Sequence, residues 1–313
     1  MKSLTQPQSI EAGAVSRRFV APQRGQVAAD CFDHPVFSAC AGQRGWLQCE
    51  TWPTIEAMNA ALHAASDGAA DLQFVQQSQA LLDEGLHYEQ RIHHDGRIAT
   101  RLHNWHDLFN ALIWIRYPAL KRALNHRQVE EIDRVGLKVR SRAQSALTHF
   151  DEGGAVIVVR DPTLLALWDA HDWPGLFWRH RSAWMDGRIE IAAVFGHALL
   201  EHALQPQQLL VAKCIAVATM ADAKQAIASV GEAVIAGALL NDPQELRPLP
   251  LSGVPGWHPQ SSEQDFYRHA ACFKPLREGR IYPAPLQVGC LGNLSHGTPS
   301  GRRSAPGRDG PYW

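Results

Sequence analysis

The chain has 313 residues, 45% hydrophobic and 19% charged, enough for one large or two modest domains with a substantial core. Thirty basic and 31 acidic residues leave a formal charge of -1, so no global field favours nucleic acid or a membrane surface. The N-terminal run Met1-Lys-Ser-Leu-Thr lacks the apolar core of a secretory signal. The most apolar stretch, 209–220, is too short to span a bilayer and contains Lys213. Six Cys include no C-x-x-C pair, and Cys31, Cys40 and Cys49 recur at a spacing that fits no zinc site. Free thiols in a reducing cytoplasm are the simplest expectation. The unusual features are 10 Trp and 16 His: indoles favour an aromatic-rich core, and imidazoles leave metal or acid–base chemistry open.

Residues 1–31 read as an irregular arm, 32–289 as a single globular domain, and 290–313, rich in Gly, Ser, Pro and Arg, as a disordered tail. Thr54 caps an amphipathic helix that Asp67-Gly68 ends, and Phe74-Val75 is a short extended piece. Residues 86–101 read as a β-hairpin about Asp95-Gly96, because a type I′ turn needs two residues that tolerate positive φ. Asn104, with Asp107 three positions on, opens the next helix, and Pro118 closes it. A short helix over 119–124 with Asn125 as its stop and a mixed, charged segment over 129–139 follow.

A second hairpin is predicted over 146–159, turning at Asp151-Glu-Gly-Gly154 into an arm apolar enough to be covered on both faces. Asp161-Pro162 starts a helix through Trp168, and Pro174 starts another toward Trp184. A strand over 188–195 turns at Gly196 into a helix over 197–204. After it come a strand over 209–219, a small-residue helix over 222–240, a proline-rich loop over 247–259 and a last element over 265–273. The expected fold is α+β, a mixed or mainly antiparallel sheet built from two hairpins and two further strands and packed by helices.

The stretch from Arg101 to Pro118 carries the strongest chemical signal. At helical spacing Trp105, Leu108, Phe109, Leu112 and Ile115 form one apolar stripe. His106, Asp107 and Asn110 fall on the opposite side together with Ile113, Trp114 and Tyr117, so this polar trio is expected to face a covered cleft. His106 and Asn110, four positions apart, can reach one ion, with Asp107 as ligand or orienter. His197 and Glu201 repeat that spacing just after a strand and a glycine, and suit an acid–base pair or half of a metal site. Each motif also has a plain explanation, as a cap, a satisfied buried polar group or an exposed i,i+4 pair. Asp151 and Glu152 read first as turn formers, and complete a His/carboxylate site only if that turn reaches the central helix.

Five separated blocks resemble one family. They are Arg101-x-x-Asn104-Trp-His-Asp-Leu-Phe-Asn-Ala-Leu112, Pro118-x-x-Lys121-x-x-Leu-Asn125, Leu147-Thr148-x-Phe150-Asp-Glu-x-Gly154, Phe195-Gly-His-Ala-Leu-x-Glu201 and Val254-Pro-Gly-Trp257. Together they are similar to the bacterial DUF3025 proteins over roughly residues 32–285. That family is uncharacterised, so the resemblance implies no catalytic residues. His149 departs from it, standing where that block is expected to be apolar.

The chemistry expected from these residues is hydrolysis. His106, Asp107, His197 and Glu201 would hold a divalent metal or activate water, and Arg101, Asn110, Trp114 and Lys121 would bind a small-molecule substrate in a Trp-lined cleft. The alternative is a non-catalytic ligand-binding or assembly protein in which the polar cluster is structural. No Gly-rich phosphate loop, G-x-S-x-G motif or Cys–His dyad supports a nucleophile mechanism. A nuclease built on His93-His94 is disfavoured by the tight Asp95-Gly96 turn and the lack of basic charge. Neither nucleic acid nor membrane is an expected partner.

Overall fold

The computed structural model describes residues 19–65 and 71–288. Helices α1 (Arg44–Gln48) and α2 (Ile55–Ala65) come first, then strand β1 (Gln73–Gln76), helices α3 (Gln79–Asp83) and α4 (Tyr88–Asp95), and strand β2 (Arg97–Thr100). Three longer helices follow, α5 (Trp105–Arg116), α6 (Pro118–Val135) and α7 (Arg142–Gly153), the last running straight into strand β3 (Gly154–Val159). After α8 (Pro162–Asp169) and α9 (Arg181–Met185) come β4 (Ile189–Val194), α10 (His197–His202) and β5 (Val211–Ala218). The described chain ends with α11 (Ala223–Ile235), β6 (Arg247–Pro250), α12 (Phe266–His269) and β7 (Leu286–Gln287).

The fold is α+β with mixed sheets. The larger sheet has the order β4-β3-β5-β6, with β7 beside β5. β3 is buried at every position and lies parallel to β5 and antiparallel to β4. β1 and β2 form a separate parallel pair in which Phe74 faces Ile98. The buried side chains make one connected cluster from Phe32 to Tyr267. Of the expected N-terminal arm, the described part is docked: Trp105 Nε1 donates to Pro22 O at 3.0 Å, and the Arg24 guanidinium stacks 4.3 Å over Trp52. Residues 1–18, the Asp67-Gly68 stop and the expected tail lie outside the described residues.

Neither hairpin exists. Residues 88–95 are helical, and Gly96, at φ +67, caps α4 by donating its N–H to Ile92 O at 3.0 Å. A positive φ at an Asp-Gly step serves a helix C-cap as well as a hairpin turn, and here it serves the cap. The second supposed hairpin has a helical first arm. Ser141 and Gln144 form a capping box, and Ala143, Ala146, Leu147 and Phe150 then bury one helical face. So Asp151 and Glu152 sit in the last turn of α7, not at a hairpin tip. Asn125 does not end a helix either. α6 runs through it, because its side chain donates to Glu89 instead of capping.

Other local signals act as read. Asn104 Oδ1 accepts from Asp107 N at 3.0 Å to start α5, and Asp161 and Asp222 cap α8 and α11 in the same way. Tyr117 is at once the last cap of α5 and the first of α6, with Pro118 at the opening position of α6.

Two glycines fix where the sheet meets these helices. Phe195 N and Gly196 N both donate to Gly154 O at 2.9 Å, so the end of β4 is stitched to the start of β3. A Cβ on Gly196 would lie 2.5 Å from Gly153 Cα and 2.5 Å from Gly154 N, a clash with backbone that cannot swing aside. Gly196→Ala should therefore lower stability by about 1–3 kcal/mol in denaturant unfolding. Gly153→Ala, whose Cβ would meet nothing within 4 Å, should leave the midpoint no lower. Equal midpoints for the two variants would remove the close approach as an explanation.

Candidate functional site

His106, Asn110 and Trp114 lie one helical turn apart along α5 and form one wall of a cleft. Facing them are Tyr88 and Glu89 of α4, Lys121, Asn125 and Gln128 of α6, and Thr148, Asp151 and Glu152 of α7. His197, at the first position of α10, closes the mouth beside His106. The cavity measures about 290 Å³ and is lined mainly by amide, hydroxyl, carboxylate and imidazole groups. The polar flank of the central helix thus looks inward, at side chains from four other helices.

At the mouth, two imidazoles meet through the same atom. His106 Nε2 and His197 Nε2 are 3.1 Å apart, with ring planes at 74°. Behind each ring stands a carboxylate. Glu201 Oε2 is 3.2 Å from His106 Nδ1, and Asp151 Oδ2 is 3.7 Å from His197 Nδ1. At His106 the carboxylate hydrogen-bonded to Nδ1 favours the tautomer with its proton there, leaving the Nε2 lone pair free, whereas His197 Nδ1 is buried without a hydrogen-bond partner among the described residues. Two lone pairs cannot face each other at this distance without a proton or a cation between them. Glu152 supplies the third oxygen, its Oε2 lying 3.7 Å from His197 Nε2. Ligand atoms of His106, Glu152 and His197 all fall within 4.8 Å of one another.

The electrostatics separate the two imidazoles. Burial drives the His197 pKa down to about 3, so it is neutral at physiological pH. The hydrogen bond to Glu201 raises the His106 pKa above its ordinary value, despite partial burial. Burial raises the Glu152 carboxyl, whereas Asp151, although buried, is held below the usual range chiefly by the Lys121 ammonium. Deeper in the cleft, burial pushes Glu89 up to about 7.

Of the residues expected at the site, His106, His197 and Glu201 come together, with Glu201 against the back of the His106 ring. Asp107 does not join them. Its carboxylate takes the Arg101 backbone N–H and is bridged by the Arg101 guanidinium at 2.7 and 3.1 Å, so this pair braces the start of α5. Lys121, 5% exposed, is committed to Asp151 at 2.7 Å and Asn110 Oδ1 at 2.9 Å, not free to hold an anion. Asn110 Nδ2 in turn donates to Tyr88 Oη at 3.0 Å. Trp114 lines the cavity and is almost fully buried. Glu152, the third converging side chain, read first as a turn residue and as part of a His/carboxylate site only if that turn reached the helix, Asn125 read as a helix stop, and Tyr88 and Glu89 gave no signal.

His197 makes a pH dependence that can be measured. Between about 3 and its ordinary 6.5, the unfolded chain binds a proton at this position and the folded chain does not. Stability of the chelator-treated protein should therefore fall as pH is lowered through that window. In His197→Gln the slope should be flatter by up to about 1.4 kcal/mol per pH unit, the contribution of one proton. Parallel stability profiles for the two proteins would show that His197 is not held neutral.

No curated protein and no solved structure matches this chain. The model of a family described as "Protein of unknown function (DUF3025)" matches residues 72–277, which contain all the residues of the cleft. With that much of its length matched, the chain belongs to the DUF3025 family.

Proposed function

We propose that this chain is a hydrolase whose centre is a divalent metal ion held by His106, His197 and Glu152. The observation that carries the reading is the pair of Nε2 atoms 3.1 Å apart, each on a ring with a carboxylate behind its Nδ1. An ion about 2.05 Å from both nitrogens would see them at an angle of about 100°, within the range of tetrahedral and octahedral coordination. Two nitrogens and one oxygen suit zinc, manganese or iron, and three protein ligands leave a position for water, whose pKa such an ion lowers to about 7. Glu201 and Asp151 would orient the two rings, and the cleft would take a small molecule. Five free cysteines among the described residues support a reducing, cytoplasmic setting.

One observation favours a second reading, a non-catalytic binding protein. The raised pKa of His106 lets an imidazolium donate Nε2–H to the His197 lone pair, so that a proton fills the gap. Metal analysis separates the two. The purified protein should carry close to one equivalent of zinc, manganese or iron, and His197→Ala or Glu152→Gln should lose it along with hydrolysis of activated esters. Protein that stays metal-free after incubation with each ion would sink the metal reading and leave the proton-bridged pair.

Glu201 should act on affinity without touching the ion. Glu201→Gln should weaken metal binding by about 10–100-fold, the usual effect of losing an orienting carboxylate. Because a proton on His106 competes with the ion, wild-type metal retention should drop as pH falls below the raised His106 pKa. In the chelator-treated protein the His106 titration midpoint, read by NMR, should move to lower pH in Glu201→Gln, since the hydrogen bond that raises the pKa is gone. An unmoved midpoint would separate Glu201 from His106.

A further inference from the structure

Two hydrogen-bond donors on the cleft wall, at Trp114 and Tyr88, have no acceptor among the described residues. Trp114 is 1% exposed and lines the cavity, yet its indole Nε1–H has no partner among the described residues. Leaving a buried donor unpaired is costly, so a group of this kind calls for an acceptor. A second donor stands nearby. Tyr88 Oη accepts from Asn110 Nδ2 at 3.0 Å, which leaves its own hydrogen without an acceptor among the described residues. Burial and the neighbouring Glu89 push the Tyr88 pKa up, so the phenol keeps that hydrogen.

Charge decides what kind of acceptor fits. Each cation on the cleft wall already faces a carboxylate: Lys121 is 2.7 Å from Asp151, and Arg101 is 2.7 Å from Asp107. An anionic group would enter a largely desolvated site beside Asp151 with no unmatched cation to meet it, a costly arrangement. A neutral carbonyl oxygen meets the donors without that cost. Size sets the scale of the ligand, because about 290 Å³ lies just below the usual range of small-molecule pockets. The helix sets its reach: Asn110 and Trp114 lie about 6 and 12 Å along α5 from His106.

We infer that the inner cleft is a subsite for a neutral carbonyl oxygen, an open or cyclic amide of the substrate, held by Trp114 Nε1–H and Tyr88 Oη–H. The inference rests on the metal-hydrolase reading only for where the bond to be broken lies. On that reading the substrate is a small neutral amide or imide. Its reacting carbonyl meets the ion at His106 and His197, and a second carbonyl is anchored one to two helical turns inward. Trp114 and Tyr88 are therefore specificity residues for uncharged substrates.

The test uses the full-length protein labelled with 15N, first chelator-treated and then zinc-loaded. The Trp114 indole resonance is assigned as the one missing in Trp114→Phe, and succinimide is titrated against its open-chain acid, succinamate. Succinimide should move that resonance in both metal states, and succinamate should move it less. Trp114→Phe and Tyr88→Phe should each weaken succinimide binding by about tenfold, the worth of one hydrogen bond at the upper end of its range. A resonance that ignores succinimide, or that responds more strongly to succinamate, would overturn the assignment. Since the chelated protein is read separately, failure to bind metal would defeat the hydrolase reading without deciding this one.

Discussion

The contact on which the site depends is made by backbone alone. Gly154 O accepts from both Phe195 N and Gly196 N, and the absence of a side chain at Gly196 lets the two chain segments touch. One of those segments is the exit of α7, the other the entrance of α10. Asp151 and Glu152 leave the first and His197 opens the second, so the close approach brings carboxylates and imidazole together. α5 then only has to present His106 against an arrangement already fixed by the sheet.

The cleft behind that junction is polar but balanced. Burying a charge in a poorly solvated interior is costly unless it is paired and hydrogen-bonded. Lys121 meets this requirement with Asp151 and Asn110, and its ammonium also lies 5.1 Å from the Trp114 ring centroid. Arg101 and Asp107 do the same at the mouth. Four of the six charged residues lining the cleft are thus occupied with one another. That division explains why groups alike in sequence differ in what they have left for a ligand: His197 keeps a lone pair, Trp114 keeps a proton, and Lys121 keeps little.

The sequence showed the site better than the surroundings that assemble it. His106 and Asn110 were readable because helical periodicity placed them opposite an apolar stripe, and a polar flank shared with Trp114 implies cover. His197 and Glu201 were readable from spacing alone. Asp107 stands apart from the imidazoles because its carboxylate is used locally by Arg101, and local pairing looks the same in sequence as a ligand set. The hairpins misled for a conformational reason: Asp95-Gly96 supplies a positive φ that ends a helix as readily as it turns a strand. Ser141 and Gln144, the capping box that makes 142–153 helical, outweighed the turn-forming look of Asp151-Glu-Gly-Gly154. Glu89 and Tyr88 stayed hidden because they belong to that unrecognised helix α4. Their place in the cleft follows from long-range packing, which has no periodic signature.

Tyr117 joins α5 to α6 with no intervening loop, closing one helix and opening the next. The two inner walls of the cleft are therefore a single bent rod, and the elbow angle at Tyr117-Pro118 sets the gap between Trp114 and Lys121. Proline holds one backbone torsion beside the bend and restricts the residue before it, Tyr117, which carries the non-helical torsions. The opposing wall is different in kind: α4 and the ends of α7 and α10 supply it as separate segments, not as one continuous rod.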